Sequence, residues 1–295
     1  MTKKLNKTAF SLVELSIVLL IIGLLVAGIS KGSDMINDAK VKSARSVTKG
    51  SVVSRIPNLS LWIETTTVES WPDKNRATGT FTNAEIKDIN PQITPPDTFK
   101  FNTATINYNE TGYNSLPSIK LGSDITTTAA RPSNVMIDLG SLGLTIFAVV
   151  KPIASKKIIA FEESTGVAGK QIILEYDANK KASFTYSTGT TTPANQSVLA
   201  SASSTISGEG IEVISALANS TDGRIFSNGT LTKNSTATSF TLQSFNGLFK
   251  LYSGIEIFEI IVVGEWMADA SRQRVEQYLF KKWGIPSDKL VAGTW

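Results

Sequence analysis

The groups in this chain that could do chemistry are its carboxylates. Cysteine and histidine are both absent from the 295 residues. Without histidine the commonest general base is gone, and without either residue zinc and iron–sulfur sites lose their ligands. Disulfides are excluded as well, so the fold must rest on its core. The carboxylates to weigh are Glu14, the adjacent pair Glu162-Glu163, and Glu256 with Glu259. Glycoside hydrolysis needs two carboxyls about 5–10 Å apart across the scissile bond. The pattern Glu-x-Asp-x-Glu, which sets such a pair on one strand face, does not occur. Glu256 and Glu259 stand three apart in IEIFEI, so a regular strand turns them to opposite faces. Glu162 and Glu163 diverge in the same way. All four read as solvated strand-end carboxylates rather than as an acid–base pair.

Glu14 is different, because of where it sits. It is the one charge in a run from Phe10 to Ile29. As a helix those residues rise roughly 30 Å, enough to cross the hydrocarbon core of a bilayer. Lys3, Lys4 and Lys7 precede the run and should stay cytoplasmic, which puts everything after Ile29 outside the cytoplasm. An ordinary secretory signal peptide has a shorter apolar core and a small-residue cleavage site after it. Here the small-residue step, Thr8-Ala9, comes before the run. A carboxylate inside hydrocarbon costs a few kcal/mol unless it finds a proton or an opposite charge, and a plain anchor has no use for that cost.

This arrangement resembles the class III signal of type IV pilins and pseudopilins. The matching residues are the basic leader ending in Ala9, then Phe10-Ser11-Leu12-Val13-Glu14-Leu15, then the apolar helix. The resemblance implies that a prepilin peptidase cuts between Ala9 and Phe10 and methylates the new amino terminus. It also implies that Glu14 pairs with the terminal amine of a neighbouring Phe10 during filament assembly. Two features depart from the commoner pattern: Ala9 stands where glycine is more frequent, and the apolar helix has no proline. The formal charge of +4 falls to +1 once the three leader lysines are removed, so the pI near 9.1 gives no case for nucleic acid.

Those residues need elements to carry them. From Lys31 to Ser54 the spacing of Met35, Ile36, Ala39 and Ala44–Val47 predicts an amphipathic continuation of the helix, ended by Gly50 and Pro57. Beyond Pro57 come short runs rich in Val, Ile, Phe, Tyr and Thr. Strands are predicted at Leu59–Glu64, Leu116–Leu121, Val135–Leu139, Leu144–Val150, Ile158–Phe161, Gln171–Tyr176, Phe249–Tyr252 and Ile255–Val263, with long polar connections before 116. Asp177-Ala178-Asn179 and Asn228-Gly229 are hairpin signals, and Asp222-Gly223 is a third turn candidate. Ser187–Gly208, rich in Ser, Thr and Ala, reads as weak edge structure or loops. One late helix, Asp269–Trp283, has an apolar face through Val275, Tyr278, Leu279 and Lys282-Trp283 and a stop at Gly284. Many strands with one late helix predict an antiparallel β-sandwich.

The same stretches resemble the laminin G-like, concanavalin A-like jelly roll of bacterial surface proteins. The marks are LSLWIE with Trp71-Pro72-Asp73-Lys74 after it, LPSIKL, LTIFAVVKP, GRIFSNGTL and the closing EIIVVGEW…RQRVEQYLFKKWGI. Ala268 stands where a serine cap is common, which leaves Asp269 as the expected cap. Fold analogy admits a calcium site with oxygens from Asn219, Asp222 and Asn228. These are also the residues tight turns want, so none is counted as a ligand. Trp62, Trp71, Trp266 and Trp283 could stack on sugars, but their positions read as core filler; Trp295 ends the chain as a tail or a docking tip. The Asn-x-Ser/Thr triplets at Asn219, Asn228 and Asn234 are discounted as chance in a polar surface domain.

The sequence therefore predicts an α+β chain: leader 1–9, a long transmembrane-then-stalk helix 10–54, a mainly antiparallel jelly-roll sandwich 55–286 with a late helix, and a tail 287–295. The expected protein is a non-catalytic, pilin-like filament subunit, minor, tip or pseudopilin. Its processing site is Ala9-Phe10, its assembly residues are Phe10 and Glu14, and its head binds a glycan or protein. Expected partners are the prepilin peptidase, other pilin subunits, the bacterial inner membrane and an extracellular ligand, with no nucleic acid and no cofactor. A single pass would leave the head periplasmic or extracellular, and on a surface filament after assembly. The rival readings are a membrane-tethered lectin-like protein that forms no filament, and a surface glycosidase with a disguised site.

Overall fold

A computed structural model describes residues 11–71, 78–126, 142–163, 170–188, 196–201, 210–219, 222–236 and 247–286. The predicted strand Val135–Leu139, the residues Pro72, Asp73 and Lys74, the leader with Ala9 and Phe10, and the tail with Trp295 lie outside the described residues.

Helix α1 runs from Leu12 to Lys49. Ser11 starts it with a capping box: the Val13 amide donates to Ser11 Oγ at 3.3 Å, and the Ser11 amide donates to Glu14 Oε2 at 2.9 Å. Gly50 closes it, its amide donating to Ser46 O at 3.1 Å. A short 3-10 turn, Val53–Arg55, hands the chain to the head.

Fifteen strands follow among the described residues, with one 3-10 turn at Tyr113–Ser115 between them. In order they are β1 Leu59–Glu64, β2 Gly79–Lys87, β3 Thr98–Asn109, β4 Ser118–Leu121, β5 Ile125–Thr126, β6 Leu144–Lys151, β7 Lys157–Glu163 and β8 Lys170–Tyr176. The rest are β9 Ala182–Thr188, β10 Gln196–Ser201, β11 Glu212–Ala218, β12 Asp222–Ser227, β13 Thr230–Thr236, β14 Gly247–Leu251 and β15 Glu256–Val263, before helix α2, Asp269–Trp283. All described pairings are antiparallel. The larger sheet has the order β13-β12-β11-β6-β15-β4-β3-β2, with β1 also on β15; the smaller has β10-β9-β8-β7-β14-β5. Strand β15 is central: β6 lines one edge, and the other is shared by β4 at Glu256-Ile257 and β1 at Glu259–Val263.

The sandwich predicted from the sequence is the observed fold, with a third layer. One core lies between the sheets and takes Ile146, Ala148 and Val150 of β6 and Ile257, Ile260 and Val262 of β15. A second core lies between the larger sheet and the helices and takes the alternate residues Phe147, Val149, Phe258, Ile261 and Val263. Being covered on both faces is why β6 and β15 read as mostly apolar runs without a polar alternation. Burying them at about 25 cal/mol per Å² is the main stabilisation the head has, with no disulfide to help.

Some local expectations need correcting. The polar connections before residue 116 contain β2 and β3, whose buried residues on the core side are Ile86, Phe99, Ala104 and Ile106. Strand β11 is absent from the predicted strands, although all its residues are buried. Asp222-Gly223 opens β12 rather than turning. The turn precedes it, where the Asn219 amide donates to Asp222 O at 3.0 Å. Asn228 and Gly229 do form the predicted tight hairpin, with φ of 46° and 78°. Asp177 fastens the other hairpin, its Oδ1 accepting from the Asn179 and Lys181 amides at 2.7 and 2.8 Å. Ala268, not Asp269, is the cap of α2, and it makes no side-chain bond; Gly284 ends the helix at φ 65°.

Candidate functional site

Among the described residues the longest uncovered apolar stretch is the first half of α1. Every leucine, isoleucine and valine from Leu12 to Ile29 is at least half exposed, from 50% at Ile17 to 84% at Leu12. In water such a stripe carries a large hydration cost, so it calls for lipid or another protein. Among the described residues this is the one helix long and apolar enough to cross a membrane. Glu14 stands on it exposed, its carboxylate held by the Ser11 amide. Ala9 and Phe10, the expected processing residues, lie just before the described part.

The second half of α1 meets the head. Val41, Ala44 and Val47 recur on one face and pack into the core that faces α2. Arg45 Nε donates to Thr66 O at 2.7 Å, and Lys40 Nζ to Ser115 Oγ at 3.3 Å. The Thr48 hydroxyl donates to Ala44 O and lies 3.5 Å from Tyr278 Oη, tying the stalk to α2.

Under that contact lies a fully buried charge cluster. Lys282 Nζ reaches Glu64 Oε2 and Glu259 Oε2, each at 2.9 Å, and all three side chains are 0% exposed. Glu259 also accepts from Trp62 Nε1 (2.8 Å), Tyr278 Oη (2.7 Å) and Trp283 Nε1 (2.9 Å). Thr66 donates to Glu64 through its amide and its hydroxyl. Burial pushes the Glu64 carboxyl up, but the Lys282 ammonium and the Thr66 bonds outweigh it and hold the group below the ordinary 4.5. Burial and the two carboxylates push the Tyr278 phenol well above 10. Two carboxylates on one ammonium leave a net negative charge with no solvent access. The cluster is built to hold β1, β15 and α2 in register, not to exchange protons with a substrate.

This corrects the expectation for Glu259, which is buried and not solvated. It also corrects the faces. A bulge between Ile257 and Glu259 slips the alternation, so Phe258 and Glu259 both face the helices, as Glu256 does. Glu256 nevertheless bonds to the Ser118 hydroxyl, away from Lys282. The two carboxylates therefore share a side of the sheet without sharing a partner. Glu162 and Glu163 fall at the end of β7, Glu162 in register with Gln171.

Two further buried pairs brace the sheets. Arg272 bonds to Glu276 at 2.5 Å, Glu276 accepts from Ser215 at 2.6 Å, and the guanidinium lies 3.5 Å from the Phe226 ring centroid. Between the sheets Tyr176 donates to Glu212, and burial pushes that carboxyl up to about 7.

The candidate sugar platforms are mostly internal. Trp62, Trp71 and Trp283 are buried, while Trp266 is half-buried under Arg224, whose Cζ is 5.1 Å from the ring centroid. The candidate calcium oxygens serve turns: Asn219 Oδ1 accepts from the Asp222 amide, and Asn228 Oδ1 from the Val213 amide. Among the described residues no group of three or more carboxylates could hold a metal. The spacing of the late helix puts Lys282 on its inward face, but no sequence pattern names its partners, which lie 23 and 218 positions away.

No family model matches the chain, and no curated protein does either. Solved structures do. The binding domain of Paraclostridial Mosquitocidal Protein 1 superposes at a TM-score of 0.50 with 10% identity, covering 79% of this chain and 56% of that one. The Botulinum Neurotoxin serotype G binding domain gives 0.48 at 12%, covering 76% and 51%. Domain 4 of AbnA, a GH43 extracellular arabinanase from Geobacillus stearothermophilus, in complex with arabinotriose, gives 0.45 at 11%, covering 75% and 98%. This chain thus spans about half the length of the toxin binding domains it matches. At such identities the likeness is one of fold, a β-sandwich.

Proposed function

We propose that this is a pilin-like subunit: an apolar N-terminal helix that anchors in the inner membrane and then packs in a filament, carrying a non-catalytic sandwich head that binds a glycan or protein outside the cytoplasm. The observation that carries it is the exposed stripe Leu12–Ile29, on the same helix whose later residues, from Val41 on, pack against the head. A helix so uncovered and so firmly tied at one end is suited to trade lipid for neighbouring helices. The motif Phe10–Leu15 with Glu14 adds the processing and pairing chemistry that such a trade needs. The head's fold, similar to that of the binding domain of Paraclostridial Mosquitocidal Protein 1, suits recognition. A non-catalytic head fits its carboxylates, since Glu64, Glu259, Glu276 and Glu212 are committed to buried partners. Processing by a prepilin peptidase and the absence of any cofactor belong to the same reading.

The test is the mass of the N-terminal peptide from sheared surface material and from membranes. A methylated Phe10 terminus in the sheared fraction is expected. An intact Met1 or Thr2 terminus in both fractions overturns the reading and leaves a tethered lectin-like protein. Glu14→Ala should still reach the membrane but assemble poorly, and a normal filament yield from it would sink the assigned role.

A further inference from the structure

The head has a groove at the foot of the stalk, about 270 Å³, between the turn after α1 and the first half of α2. Its floor is apolar: Ile56, Met267 and Val275 are buried there. Two exposed guanidiniums, Arg55 and Arg274, flank it, and neither makes an ion pair with a described residue. Glu265 on the rim is already engaged by Asn58 Nδ2 at 2.9 Å. The groove therefore offers an apolar seat between two cations, with the single charge of Glu265 on the rim against their two.

The complement lies elsewhere on the same chain. Asp34 and Asp38 stand four apart on α1, so they share a face, and Met35 lies beside them, 73% exposed. Asp34, Met35 and Asp38 are all exposed, standing one to two turns before Val41, where the helix first packs on the head, so the chain's own head does not cover them. Asp34 has only a 4.0 Å contact with Lys31, both side chains largely exposed, which is weak.

We propose that this groove receives the Asp34–Asp38 segment of a second copy of the chain, with the aspartates against Arg55 and Arg274 and Met35 on the apolar floor. The proposal rests on the filament reading and names a contact that would set its stagger. The two patches are different surfaces, so the contact is heterologous and propagates instead of closing into a dimer. The segment lies 11–15 residues before the end of α1 at Lys49, or about 16–23 Å along the axis. A docked copy therefore sits at least that much further from the membrane. Its apolar helix would have left much of a hydrocarbon core about 30 Å thick.

The chain has no cysteine, which makes the test clean. Met35→Cys and Ser271→Cys are combined in the full chain, with each single variant as control. Ser271 lines the groove beside Val52 and Arg55, past the end of α1, and Met35 lies about 21 Å back along that helix. A disulfide spans at most roughly 7 Å between Cα atoms, so only bonds between copies form. Oxidation should give a ladder of multimers from the double variant and none from the singles. Arg274→Glu should cut assembled protein about tenfold, and adding Asp38→Arg should restore it. Sheared filaments without a ladder, or no rescue by the swap, overturn the docking and leave the filament standing. A ladder confined to membranes keeps the docking and overturns the surface filament, leaving an assembly rooted in the membrane. Neither ladder nor filament overturns both.

Discussion

Replacing Glu212 with glutamine should remove most of the pH dependence of the head's stability between about pH 5 and pH 8. Glu212 is 0% exposed on β11 and accepts from Tyr176 of β8, joining the two sheets. Burial raises its carboxyl from the ordinary 4.5 to about 7, despite the opposing bonds from Ser227 and Tyr176. The folded protein thus holds a proton that the unfolded chain releases at lower pH. Stability from this group is fully present below about 4.5 and is lost as the pH rises through about 7. The gap between those values corresponds to about 3 kcal/mol, a large share of a typical domain's stability. Among the described residues no resolved shift cancels it in this range. Glu276 and Glu175 are raised too and add to the same sign, while the lowered Asp124, like Glu64, loses its contribution only under acid. The assay is urea unfolding of the full chain in detergent, followed by tryptophan fluorescence across that pH range. The unaltered protein should lose about 3 kcal/mol on going from the acid to the alkaline end, and Glu212→Gln should flatten most of that slope. A flat profile for the unaltered protein would refute the reasoning, as would an undiminished slope in the variant.

Lys282→Met should cost about 3–5 kcal/mol in the same urea assay, because it strands Glu64 and Glu259 without a counter-charge. A loss under about 1 kcal/mol would mean the carboxylates find water or protons cheaply. Ala268→Ser should gain about 1 kcal/mol, since Ala268 caps α2 in extended geometry with no side-chain acceptor to offer. Thermal unfolding reads that gain, and no rise in Tm would show that the first-turn amides are already satisfied.

What the sequence determined by itself was local or periodic. The run Phe10–Ile29 is legible as an apolar stretch long enough to cross a bilayer from length and composition alone, while the exposure of Leu12–Ile29 is seen only in the structure. The hairpin at Asn228-Gly229 follows from backbone sterics, and α2 from Asp269 to Trp283 follows from its apolar spacing and the glycine after it. Strands β6 and β15 are legible because burial on both faces writes a mostly apolar run. Strands β2 and β3 are not, because outward residues such as Thr80, Thr82, Lys100 and Thr103 make them read as polar linkers. Only pairing with distant strands makes them sheet. The charge cluster is out of reach for the same reason. Glu259 turns toward α2 because a bulge in β15 shifts its alternation, and it is stable there only because Trp62, Tyr278, Lys282 and Trp283 converge on it. Likewise the acid patch Asp34–Asp38 is visible as sequence, but the arginine groove exists only where the turn after α1 meets α2. Charge compensation and register are properties of residues brought together from far along the chain, and no local pattern records them.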